Sequence, residues 1–159
     1  MIDVSVRVID CHVVYINKNN EKLFLSLKRN SKERYPNIWQ CITGGIINKE
    51  KPEQTAIREL FEETGIKNFE LVKEIEGMTE YELPDYLLGK IWKGKYRGQK
   101  QKWFVVRFLG NDNEINLNTS KPEFIEWKWA NLDDLPGMIV DFKKKLYEKL
   151  LPKIKLIIG

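Results

Sequence analysis

Residues 52–65 constrain this chain more than any other stretch. Pro52 stands in the first turn and Gly65 just past the last, and between them Ile57, Leu60, Phe61 and Thr64 recur at i, i+3, i+4 and i+7. That pattern predicts a helix with sharp ends and one stripe laid against a sheet. Suitable strands surround it. Residues 4–9 and 11–16 are rich in β-branched side chains, and Lys18-Asn19-Asn20-Glu21 makes a turn before residues 23–27, which together predict a hairpin. Further strands are expected at 38–42, 69–76, 102–108 and 125–130, a polar loop at 111–120, and a closing helix over 138–151. No repeat or low-complexity linker breaks this order. The expected fold class is α/β, a mixed β-sheet between helices, in a single domain over residues 1–159.

Composition removes several chemistries. The single histidine, His12, lies in an apolar run, so a site needing two imidazole ligands cannot be built from one chain, and a structural role is expected for it. Cys11 and Cys41 are far apart and form no C-x-x-C, which leaves them as small buried hydrophobes. Metal chemistry here must rest on carboxylates, which suit hard ions such as Mg²⁺ or Mn²⁺. No apolar run approaches the ~20 residues of a membrane span, and the first residues lack a signal-peptide pattern, so the cytoplasm is the expected address.

Charge is segregated. From residue 89 to 107 there are seven basic residues, Lys100, Lys102 and Arg107 among them, and no acid, interleaved with Trp92, Tyr96, Trp103 and Phe104. Two readings stand: an anion-binding surface, or a solvated hairpin with gatekeeping lysines. Residues 50–63 are the opposite, with five glutamates against Lys51 and Arg58. On the expected helix Glu59, Glu62 and Glu63 fall away from the apolar stripe, three carboxylates within a turn that repel one another unless a cation sits among them. Glu50 and Arg58 are placed to hold them. Just upstream, Gly44-Gly45 lets the backbone turn sharply and approach a ligand without a Cβ in the way.

The whole string, Gly44-x5-Glu50-x7-Arg58-Glu59-Leu60-x-Glu62-Glu63-x-Gly65-Ile66, is specified at nine positions. At ordinary residue frequencies such a match arises by chance on the order of once in ten million, so an accidental acidic face is a poor account of it. The string resembles the full signature of the Nudix hydrolases. That resemblance implies an α/β/α sandwich in which a loop-helix-loop holds Mg²⁺, or Mn²⁺, against a diphosphate linkage while water attacks phosphorus. By the same resemblance Glu59, Glu62 and Glu63 are metal ligands, Glu59 is a candidate base, and Glu50 and Arg58 support the box. The chemistry suits carboxylates alone, since neutralising the anhydride oxygens and acidifying water requires no histidine, cysteine or serine nucleophile.

A second resemblance covers residues 81–151. Tyr81-Glu82-Leu83-Pro84, Gly98-Gln99-Lys100-Gln101-Lys102-Trp103-Phe104, Glu114-Ile115-Asn116, Pro122-Glu123-Phe124 and Phe142-Lys143 are similar to the asymmetric diadenosine tetraphosphate hydrolases and bacterial RNA pyrophosphohydrolases. It implies Glu123 as a further metal ligand or alternative general base. Tyr81 and Phe142 would line a base-binding cleft, and Lys100, Lys102 and Lys143 would contact phosphate. Phe142 has a second reading, as part of a core stripe with Ile139, Leu146 and Leu150. Trp39-Gln40-Cys41-Ile42-Thr43-Gly44 departs from that subgroup, and is similar to Nudix enzymes of dihydroneopterin triphosphate or nucleoside triphosphates. The expected partner is therefore a nucleotide, a dinucleoside polyphosphate or an RNA 5′ end, with no membrane or stable protein partner. A Nudix-shaped module that binds without cleaving, and generic RNA binding through residues 89–107, are the competing functions.

Overall fold

The computed structural model describes residues 5–18, 21–29, 38–45, 50–75, 79–82, 86, 96–118, 124–139 and 143–158. The expected hairpin forms. Strand β1 (Ser5–Lys18) turns back into β2 (Glu21–Arg29), with Lys18 opposite Glu21 and Tyr15 opposite Phe24. Beyond Phe24 the two strands part, and the chain of β3 (Trp39–Gln40) and β4 (Ile42–Gly45) enters between them. Strand β3 pairs with Leu27 and Lys28 of β2, while β4 pairs with residues 9–12 of β1. Helix α1 (Pro52–Thr64) follows, then β5 (Phe69–Glu74), β6 (Thr79–Glu82), β7 (Tyr96–Phe108) and β8 (Phe124–Ala130). A short helix α2 (Leu135–Met138) and a longer α3 (Lys144–Ile158) end the fold.

The described strands form one mixed sheet. Its centre is the parallel ladder of β1 and β7, and β8 lies outside β2 while β5 and β6 share the far edge of β7. Because successive strand residues face opposite sides, β1 and β7 serve two cores at once. Cys11, Val13, Trp103 and Val105 pack with Leu146, Tyr147, Leu150 and Ile154 of α3. Val14, Val106 and Phe108 pack with Leu60 of α1 and with Ile66. The result is a mixed sheet between helices, the α/β/α sandwich that the resemblance implies.

Some boundaries differ. The closing helix was expected over 138–151, but a four-residue turn of helix ends at Met138 and α3 runs from Lys144 to Ile158, through Pro152. Burial explains the continuation: beyond the proline Ile154 is almost fully enclosed and Ile157 and Ile158 pack against the same core, a fully buried side chain contributing about 1.5–3 kcal/mol against the roughly 3 kcal/mol an internal proline costs. Ile139 is buried but lies before α3, so the proposed helical stripe does not include it, and Phe142 is outside the described residues. Strand β6 was not expected, being the polar run Thr-Glu-Tyr-Glu.

His12, Cys11 and Cys41 are core residues, as expected. Burial pushes the Cys41 thiol up to about 12, against the pull of the Tyr147 hydroxyl and Lys143.

Candidate active site

Helix α1 begins after Lys51, whose N–H donates to the Gln54 side chain at 2.9 Å, and ends at Gly65, whose φ of 74° is the left-handed conformation that glycine accepts most readily. Its buried face holds only half of the expected stripe, Leu60 and Thr64. Ile57 and Phe61 are 48% and 49% exposed, whereas Thr55, Ala56, Glu59, Leu60, Glu63 and Thr64 are buried. The expectation that Ile57 and Phe61 face the sheet, with the glutamates on the other side, is therefore corrected: α1 is rotated so that two of its acids enter the interface.

What permits that rotation is the strand beneath. A Cβ on Gly44 would lie 2.1 Å from Cγ and 2.7 Å from Oε1 of Glu59, so the carboxylate lodges where only glycine leaves room. The second contributor is Arg58. Its Nε donates to Glu50 Oε2 at 2.8 Å and its Nη2 to Glu50 Oε1 at 3.1 Å, a two-pronged contact. Its Nη1 donates to both Glu59 Oε1 at 2.7 Å and Glu62 Oε2 at 3.1 Å. One guanidinium thus gathers three carboxylates from a loop and two helix turns. The hydrogen bond to Glu50 raises the Arg58 pKa most, burial opposes it, and Glu59 raises it further, so the charge on Arg58 is fixed at any working pH. Thr55 supplies a support that the sequence did not reveal, its hydroxyl donating to Glu50 Oε1 at 2.9 Å.

Among the described residues, no group of three or more His, Cys, Asp or Glu side chains converges on a single point that could hold a metal ion. The donor set nonetheless fits a hard cation. Glu59 and Glu63 are acids held at 9% and 8% exposure, and Glu59 and Glu62 already converge on one cationic nitrogen. Such carboxylates are all-oxygen ligands of the kind Mg²⁺ and Mn²⁺ take.

The other expected residues divide. Gly45 pairs with Ile9 in the β4–β1 ladder. Tyr81 stands opposite Gln99, and Lys100 opposite Glu80, where β6 meets β7. Lys102 is on β7 and makes an ion pair with Glu74 at 3.1 Å. Lys143 lies just before α3, near Cys41, and is half-buried. Glu123 lies outside the described residues, as do residues 89–95 of the basic strip.

A family model of the NUDIX domain matches residues 7–150. The chain belongs to the Nudix family. It is 49% identical over 147 residues to the RNA pyrophosphohydrolase of Pelagibacter ubique (strain HTCC1062), covering 92% of this chain and 90% of that protein. The RNA pyrophosphohydrolase of Rickettsia conorii (strain ATCC VR-613 / Malish 7) is 39% identical over 146 residues, with 92% and 88% covered. Among solved structures, a C. elegans Ap4A hydrolase binary complex superposes with a TM-score of 0.70 at 24% identity, over 96% of this chain and 98% of that one. That likeness is one of fold. Divalent metal ions are general in the Nudix family.

Proposed function

We propose that this Nudix pyrophosphohydrolase hydrolyses a phosphoanhydride at the 5′ end of triphosphorylated RNA, with Mg²⁺ or Mn²⁺ held by Glu59, Glu62, Glu63 and Glu123. The observation that carries the reading is the fastening of Glu59 against Gly44 and, through Arg58, to Glu50 and Glu62. The substrate is suggested by the relatives of Pelagibacter and Rickettsia, which bear that activity in their names.

A bound divalent ion supplies neutralisation of the anhydride oxygens and a more acidic water. The chain's own groups do the rest. Arg58 fixes the carboxylates so that little reorganisation is needed at reaction. Glu59 or Glu123 takes the proton of the attacking water as its oxygen bonds to phosphorus, and the bridging P–O bond breaks with the leaving phosphate. The absent Cβ at Gly44 is filled by Glu59, so the phosphate chain meets Gly44-Gly45 through that carboxylate and its metal, and Lys100, Lys102 and Lys143 meet its charge. For Lys102 this means giving up Glu74. Tyr81 and Phe142 stack the base.

A dinucleoside polyphosphate is the second reading, because the Tyr81 to Phe142 motifs are similar to the diadenosine tetraphosphate hydrolases as well as to the RNA pyrophosphohydrolases. One panel separates them: triphosphorylated RNA, diadenosine tetraphosphate, dihydroneopterin triphosphate and deoxynucleoside triphosphates, each with Mg²⁺ or Mn²⁺ in ¹⁸O-labelled water. Fastest turnover of the RNA is expected; rapid cleavage of the dinucleotide with RNA untouched rejects the RNA reading, and no turnover at all favours a binding module. In the same assay Glu62→Gln should lower the rate by about 100-fold or more, since outer supports alone are worth ~10–100-fold. A near-normal rate removes Glu62 from the metal site.

A further inference from the structure

The charge of the molecule has an address. Helix α3 carries five lysines and one glutamate, a surplus of four, which equals the net charge of the whole sequence. The other residues balance. On α3 the buried side is Leu146, Tyr147, Leu150 and Ile154, and Lys145, Lys149 and Lys153 stand exposed along one flank at i, i+4 and i+8. Four residues of helix rise about 6 Å, so the three ammonium groups form a row of regular step. None of them is paired with a described residue. Lys155 is different: it lies on the other flank and bonds Asp133 at 2.8 Å.

The row continues and has a direction. At its far end Lys153 shares a shallow groove of about 310 Å³ with Lys73 of β5 and with Glu74, which bonds Lys102 in the free protein. At its near end α3 is fixed to the strand that carries the site, because the Cys41 N–H donates to the Tyr147 hydroxyl at 3.4 Å, three residues before Gly44. We infer that the Lys145, Lys149 and Lys153 flank is a track for the phosphodiester backbone of the RNA beyond its 5′ end, so that α3 recognises polymer while the α1 site recognises the terminal polyphosphate. Evenly stepped point charges suit a repeating polyanion of any sequence, and Glu148, three residues from Lys145, is the one acid on the helix. The inference rests on the RNA reading above.

The test compares the wild type with Lys145→Gln/Lys149→Gln/Lys153→Gln. Binding of a single-stranded 5′-hydroxyl RNA of about 20 nucleotides should weaken about tenfold, and the slope of log affinity against log salt should shrink by about 2, the value for three neutralised phosphates. KM for a triphosphorylated RNA of that length should rise in parallel, with kcat and the turnover of a triphosphorylated dinucleotide unchanged. The arginine triple variant should restore both slope and KM. An unchanged slope and KM overturns the track, as does a variant that loses binding to phosphatidylserine vesicles while keeping RNA. If wild type cleaves no triphosphorylated RNA, the proposed activity falls, and the binding slope still decides the track.

Discussion

Glu59 and Gly44 are a matched pair, and the match sets a residue-scale expectation. In Gly44→Ala the new methyl would overlap the end of a flexible side chain, not backbone, so Glu59 swings aside and the fold survives. A displacement of about 1 Å in a catalytic group is worth roughly 100-fold in rate. We expect kcat to drop by that order with little change in thermal midpoint, read by parallel kinetics and melting; loss of rate only in step with unfolding contradicts it. His12 yields a second expectation. It is 1% exposed, neither ring nitrogen has a described partner, and burial lowers its pKa to about 3. The unfolded chain therefore binds a proton that the folded one refuses. Stability falls as pH drops from about 6.5 toward 3, by up to about 1.4 kcal/mol per unit. Chemical denaturation across that range should show His12→Leu without this share of the slope, and more stable at neutral pH by about 1–3 kcal/mol because two unsatisfied nitrogens are gone. Identical pH profiles for the two proteins contradict the assignment.

At the scale of elements, what was legible depended on how local the cause was. Proline and glycine fix φ by their own covalent structure, so the limits of α1 could be read from Pro52 and Gly65. The hairpin was legible for the same reason, its turn residues lying between two β-branched runs. The orientation of α1 was not, because burial of Glu59 depends on the Arg58 guanidinium and on the missing Cβ of Gly44 in a distant strand, which a helical period does not carry. Glu114 is another such case. Burial raises its pKa, yet the N–H groups of Lys67 and Asn68 and the Asn68 amide outweigh that and hold it below the ordinary value, a contact across 47 positions that clamps the turn after α1. Pro152 reads as a stop in the sequence, whereas the core under Ile154, Ile157 and Ile158 carries α3 past it. Pro152→Ala should raise stability by about 1–3 kcal/mol through the restored hydrogen bond; a loss of stability in equilibrium unfolding would mean that the ring itself is needed for packing.

Across the whole molecule, the two cores meet at β1 and β7. Val13, Val14, Val105 and Val106 are each at most 1% exposed, paired with one another across the β1–β7 ladder and with helices over both faces of their strands. Their amides should exchange with solvent only through global unfolding, while those of β6 and β8 open at lower free energy. Native-state hydrogen exchange measures this directly, and equal protection at β8 and in the central ladder would disagree.

That central ladder joins Ser5 to Tyr96 and Tyr15 to Arg107 in parallel register, so its two halves are made at widely separated moments of synthesis. Until the ribosome has released about two thirds of the polypeptide, one side of the innermost strand offers bare amide and carbonyl groups to any passing extended segment. Helix α1 by then already exists as sequence but has no finished floor to rest on. Assembly of the enzyme is thus gated by the arrival of a late strand, and the nascent chain is most exposed to self-association in the interval before it comes.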